Sequence, residues 1–167
     1  MKIGLYIGRF QPFHLGHLSA VKQALKKVDF LTIGIGSSQL NNQKNNPFKW
    51  EDRKEMIERS IAQIENHESK IEIMAIPDIN NDEKWPAHVR SLIPDFDIIF
   101  IGNDGVVNQL FTKYDDVPIV KVKEEIPICA TKIRELMRNG GDWEQYVTKE
   151  VAQYIKDIVD IGHWGLG

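Results

Sequence analysis

The sequence predicts an α/β protein built on a five-stranded parallel sheet, doubly wound by helices, in a single domain over residues 1–167. Three observations predict it. Five short apolar runs recur along the chain, stripes with helical spacing lie between most of them, and polar, Gly-rich or basic segments follow the runs. Continuous or β-branched runs suit strands buried on both faces, and strand–helix alternation implies right-handed crossovers.

The first run, residues 3–7, is followed by a Gly/Pro turn and a helix carrying Leu18, Val21, Leu25 and Val28 on one face. A second run spans 30–35. The polar stretch 37–49 after it is too long for an ordinary connection and reads as a substrate loop. Met56, Ile57, Ile61 and Ile64 stripe the next helix, and a third run spans 71–76. The fourth run, 98–101, precedes a short stripe of Val106, Val107, Leu110 and Phe111. A fifth run spans 117–122. Ile133, Leu136 and Met137 mark one later helix, and Val151, Ile155, Ile158 and Val159 the last. Ligands of such sheets bind beyond the carboxyl ends of the strands. The segments 8–17, 36–45, 77–85, 102–104 and 127–134 all fall there.

Composition narrows the function. A length of 167 residues, with 42% hydrophobic and 27% charged, is ordinary for a globular protein with a sizeable core. No apolar stretch approaches the roughly 20 residues of a membrane span. A net charge of −3 argues against a broad nucleic-acid footprint and favours a small ligand held by a few local cations. Cys129 is the single cysteine, which excludes an internal disulfide. With no secretory pattern at the N-terminus, a cytoplasmic protein is expected.

The chemistry concentrates in Gly8-Arg9-Phe10-Gln11-Pro12-Phe13-His14-Leu15-Gly16-His17. A turn that delivers two histidines and an arginine to a helix start suits a phosphate, with the first helical N–H groups expected to cradle it. Gly16 is expected to leave that backbone open to a ligand. A zinc site at His14 and His17 lacks a legible third ligand. The second segment, Ile128-Cys129-Ala130-Thr131-Lys132-Ile133-Arg134, opens a late helix with a hydroxyl and a guanidinium one turn in. Gly34-Ile35-Gly36 lacks the third glycine of a dinucleotide fingerprint, and no P-loop is present.

Residues 8–17 resemble the His-x-Gly-His motif of the nucleotidylyltransferase superfamily. The longer pattern is similar to that of archaeal-type nicotinamide-nucleotide adenylyltransferases and of the adenylyltransferase half of bacterial fusions with a Nudix domain. No Nudix sequence follows, so the chain resembles the stand-alone form, and the resemblance runs from Lys2 to about Ile158. It implies a Rossmann-like fold and adenylyl transfer from ATP to nicotinamide mononucleotide (NMN), giving NAD and pyrophosphate, with Mg²⁺ carried mainly on ATP phosphates.

The resemblance also implies roles. His14, His17 and Arg134 would be catalytic. Gly8, Arg9, Phe10, Gly16, Lys44, Cys129, Thr131 and again Arg134 would bind ATP or its phosphates. Lys44 would supply charge where relatives carry an arginine and this chain has Asn45, and Cys129 stands at the usual serine. Ser37, Gln39, Asp78, Ile79, Trp85 and Asn103 would bind the mononucleotide, with Trp85 stacked on the pyridine ring. Partners would be ATP and NMN, with no nucleic acid and no membrane, in a homo-oligomer. Two alternatives stay open at this point. One is transfer to another acceptor, such as pantetheine phosphate or flavin mononucleotide; the other is a non-catalytic nucleotide sensor.

Overall fold

The computed structural model describes residues 1–65, 70–102, 105–123 and 125–160. Five parallel strands form one sheet in the order β3-β2-β1-β4-β5. They are β1 (Ile3–Gly8), β2 (Phe30–Gly36), β3 (Lys70–Ile76), β4 (Ile98–Ile101) and β5 (Ile119–Lys121). Each expected run thus contains a strand, although β5 keeps only the middle of its run. The helices are α1 (Leu15–Leu25), α2 (Trp50–Ile61), α3 (Trp85–Leu92), α4 (Gly105–Tyr114), α5 (Ala130–Arg138) and α6 (Lys149–Asp160).

Side-chain alternation along the central strand divides the core. Tyr6 packs with residues of α1, α2 and α6 on one face, whereas Leu5 and Ile7 pack with residues of α3 and α4 on the other. The strand order reverses between β1 and β4, and Gly8, Arg9 and Gly102, at the carboxyl ends of those strands, line the crevice that this topology creates.

Helix α3 joins β3 to β4 where the sequence shows no helical stripe. Eight residues with Pro86 in the first turn and Val89 fully buried give too few repeats for a visible stripe. The crossover rule would have found it, since two parallel strands must be joined across a face.

Candidate functional site

The chain leaves β1 through a turn in which Phe10 is fully buried yet adopts φ 52°, a left-handed conformation costly for an aromatic residue. The loop after β2 repeats the device, with Ser37 at φ 48°. One side chain holds both turns. Arg53, fully buried on α2, donates through Nη1 to the carbonyls of Arg9 (2.9 Å) and Gly36 (2.8 Å) and through Nη2 to that of Ser37 (3.1 Å). Burial pulls its pKa down to about 10, so the guanidinium stays charged near neutrality.

His14 is the N-cap of α1. Its Nδ1 accepts from the N–H groups of Gly16 (3.1 Å) and His17 (3.3 Å), while Nδ1 of His17 accepts from the N–H of His14 (3.2 Å). A nitrogen that accepts carries no proton, so both neutral rings hold theirs on Nε2. Burial lowers the pKa of His14 to about 4, and burial with the neighbouring His14 lowers that of His17 well below the ordinary value. Near neutral pH the pair therefore comprises two uncharged donors. This corrects the expected cradle: the N–H groups of Gly16 and His17 are occupied by imidazole instead of standing open to a phosphate. Gly16 serves the ring: a Cβ there would lie 3.0 Å from His14 Nδ1.

The open helix start is that of α5. Its N-cap, Cys129, is exposed and makes no side-chain cap hydrogen bond. Arg134, one turn in, is buried; Nη1 donates to the Gln11 carbonyl at 2.8 Å and Nη2 to Thr131 Oγ1 at 3.1 Å. Its Nε is buried without a partner. Burial lowers the pKa of Arg134, and the nearby charges of Arg9 and Arg138 lower it further. Arg9 and Arg134, which repel one another and both line the cavity, make a site suited to an anion.

These parts face one cavity of about 780 Å³, of a size that accepts a nucleotide. Gly8, Arg9, Phe10, His14, Gly16, His17, Cys129, Thr131 and Arg134 line it, as do Ser37, Asp78, Ile79 and Trp85. Gln39 does not. Its Oε1 accepts from the Asp78 N–H at 3.0 Å, tying the loop after β2 to the loop after β3. Lys44 is not brought to the cavity wall either. It lies in a tight turn closed by the Gln43–Asn46 bridge, and its carbonyl accepts from Arg138. Asn103 lies outside the described residues.

Trp85 opens α3, half-buried, with its ring edge-to-face on Phe111 at 5.7 Å and 75°. Beside it the wall gains Asp82, and α4 adds Val106, Val107 and Leu110. The sequence marks the α4 residues only as a short helical stripe. Their short stripe gives no sign that part of it faces a ligand. Among the described residues, no group of three or more His, Cys, Asp or Glu side chains is arranged to hold a metal ion. No described helix is long and apolar enough to cross a membrane.

The cytidylyltransferase-like family model matches residues 5–153. The nicotinamide-nucleotide adenylyltransferase of Archaeoglobus fulgidus is 40% identical over 157 residues, covering 92% of this chain and 90% of that protein. The enzyme of the same name from Thermococcus kodakarensis is 38% identical over 160 residues, covering 95% and 84%. A crystal structure of a bifunctional NMN adenylyltransferase/ADP ribose pyrophosphatase from Francisella tularensis superposes with a TM-score of 0.80 at 26% identity. That match covers 97% of this chain, which spans 51% of the bifunctional protein's length.

Proposed function

The chain belongs to the cytidylyltransferase-like family, and from that premise we propose that it is a nicotinamide-nucleotide adenylyltransferase, converting ATP and NMN to NAD and pyrophosphate. The observation that carries the reading is one shared cavity. It joins the two histidines and two arginines of separate motifs to Trp85 and Asp78.

The 5′-phosphate of NMN is largely a dianion near neutrality, so its oxygen can attack the α-phosphorus of ATP without a general base. A new P–O bond forms to the mononucleotide as the bond to pyrophosphate breaks. The protein aligns the two phosphates and stabilises the charge that develops. In this reading Arg9 and Arg134 supply positive charge, and Thr131 with the start of α5 supplies donors. His14 and His17 contribute neutral Nε2–H donors, which the backbone holds in one tautomer. Trp85 offers an indole face to the cationic pyridinium ring. Lys44 and Gln39, set back from the cavity wall, act in this reading through the loop that carries them, and Asn103 contacts the nucleotide.

Mg²⁺ enters with ATP. The described residues assemble no cage of three carboxylate, imidazole or thiol groups, so the ion fits as one carried on phosphate oxygens and water. The same reading takes the cytoplasm as the compartment, where the exposed Cys129 thiol would stay reduced, and a homo-oligomer as the assembly. It includes neither nucleic acid nor membrane among the partners.

Pyrophosphate release from ATP, measured with a panel of acceptors, tests the function. NMN should support turnover, whereas pantetheine phosphate and flavin mononucleotide should not. Release with either of those and none with NMN would overturn the acceptor. Nucleotide binding with no release from any acceptor would leave a sensor.

A further inference from the structure

Gln11 is a polar side chain with 1% exposure, in the middle of the turn between β1 and α1. Both polar atoms of its amide bond one distant residue. Nε2 donates to the Phe48 carbonyl at 2.9 Å, and Oε1 accepts from the Phe48 N–H at 2.9 Å. The side chain pairs with that backbone as a neighbouring strand would, and Phe48 is itself buried. On its other side the Gln11 carbonyl receives the Arg134 Nη1 bond, across 123 residues of sequence. Gln11 therefore joins three segments that line or border the cavity: its own turn, the end of the 37–49 loop, and α5.

We infer that Gln11 is a positioning residue for the adenylyl transfer, holding the Arg134 guanidinium and the Phe48 backbone in fixed relation around the bound triphosphate. The inference rests on the function proposed above. Arg134 has two hydrogen bonds to orient it and an unpartnered Nε, so losing the Gln11 carbonyl from its place leaves only the Thr131 hydroxyl. A displacement of that kind acts on reactivity out of proportion to the contact removed. Arg53, bonded to the Arg9 carbonyl, is the other charged side chain hydrogen-bonded to this turn.

Two variants of the full chain test the assignment, Gln11→Glu and Gln11→Met, compared with the parent well below each melting temperature. A protonated Glu copies the amide, since its O–H donates to the Phe48 carbonyl and its C=O accepts from the N–H. A carboxylate cannot donate, and burial raises the pKa at which it forms above the ordinary value of about 4.3. At about pH 8, both variants should bind a non-hydrolysable ATP analogue roughly 10-fold more weakly, and kcat should fall about 10-fold or more. Towards about pH 5.5 the Glu variant should recover affinity and kcat relative to the parent, and the Met variant should not.

A folded Glu variant with parental affinity and kcat near pH 8 would overturn the assignment. So would a lower melting temperature with both parameters unchanged, the signature of a purely structural residue. Loss in the Glu variant without recovery in acid would remove the Phe48 pairing from the explanation and overturn it as well. If Gln11→Met does not fold, Gln11→Glu decides, because it keeps the shape and one accepting oxygen. If the parent binds the analogue yet makes no NAD, the function fails, and Gln11 is still judged on analogue affinity.

Discussion

The imidazole rings of His14 and His17 stack with centroids 3.5 Å apart and planes at 22°, each accepting a backbone N–H of the same helical turn. The pair is at once a helix cap and two oriented donors, so protonation breaks a structural element along with a chemical one. A positive charge on either ring would replace a cap acceptor with a donor aimed at an N–H.

The sign of the pH effect on stability follows. His14 titrates near 6.5 when unfolded and at about 4 when folded. Between those values the unfolded chain binds more protons, so the contribution is complete above about pH 6.5 and is lost as pH falls through about 4. The shift corresponds to something on the order of 3 kcal/mol. His14→Asn keeps a good N-cap but cannot titrate. Its melting temperature should fall less steeply than the parent's from pH 6.5 down to about 4. Parallel curves would show that His14 is not the source of the acid sensitivity.

His17→Ala separates the two roles of the pair. Stability should drop by about 1 kcal/mol for the lost bond from the His14 N–H. Turnover should drop by about 10²–10³, the effect of deleting one donor to transition-state charge. Steady-state kinetics and a thermal melt on the same preparation check both. Near-normal turnover in the folded variant would take the residue out of the mechanism.

Arg134→Lys should be far from conservative. A single ammonium cannot bond both the Gln11 carbonyl and Thr131 Oγ1 in the planes a guanidinium uses, and still present charge to the cavity. We expect kcat/KM to fall about 10-fold or more with ATP as the varied substrate. A defect confined to the mononucleotide would assign Arg134 to the wrong ligand.

Hydrophobic pattern carried most of the fold. The runs at residues 3–7, 30–35 and 98–101 emerge as strands because each is largely buried in the parallel sheet and reads as a block of apolar residues, and run 71–76 emerges as an edge strand of which Ile76 is buried. Residues 117–122 give only a three-residue strand at the sheet edge, paired with the four-residue β4 alone. The motif around His14 and His17 was legible as part of the site, and both residues line the cavity, but its hydrogen bonding was not legible. Which ring nitrogen meets which N–H depends on rotamers that no residue pattern encodes. Arg53 and Gln11 were silent for a related reason. Each is a buried polar side chain whose partners are carbonyls or a backbone segment distant in sequence, and periodicity records apolar positions only.

Trp85 is where packing and the proposed recognition of the acceptor meet. The indole lines the cavity and also packs edge-to-face on Phe111, so its removal should register twice. Trp85→Ala should lower the melting temperature, since a half-buried aromatic leaves the cluster around Phe111 and Val89. It should also weaken NMN binding about 2- to 30-fold, the worth of a stacked or cation–π contact of roughly 0.5–2 kcal/mol. Affinity for an ATP analogue should stay near the parental value. Trp85→Phe should keep part of the NMN affinity, because a smaller π face remains. Asp78 and Asp82 share this wall and favour a cationic ring over one that carries a carboxylate. Nicotinate mononucleotide should therefore bind the parent more weakly than the amide and lose less on removal of the indole. Titrations of both mononucleotides and the ATP analogue, beside a thermal melt, measure every arm. A large drop in melting temperature with unchanged mononucleotide affinity would return Trp85 to the core and leave the pyridine ring to be bound elsewhere.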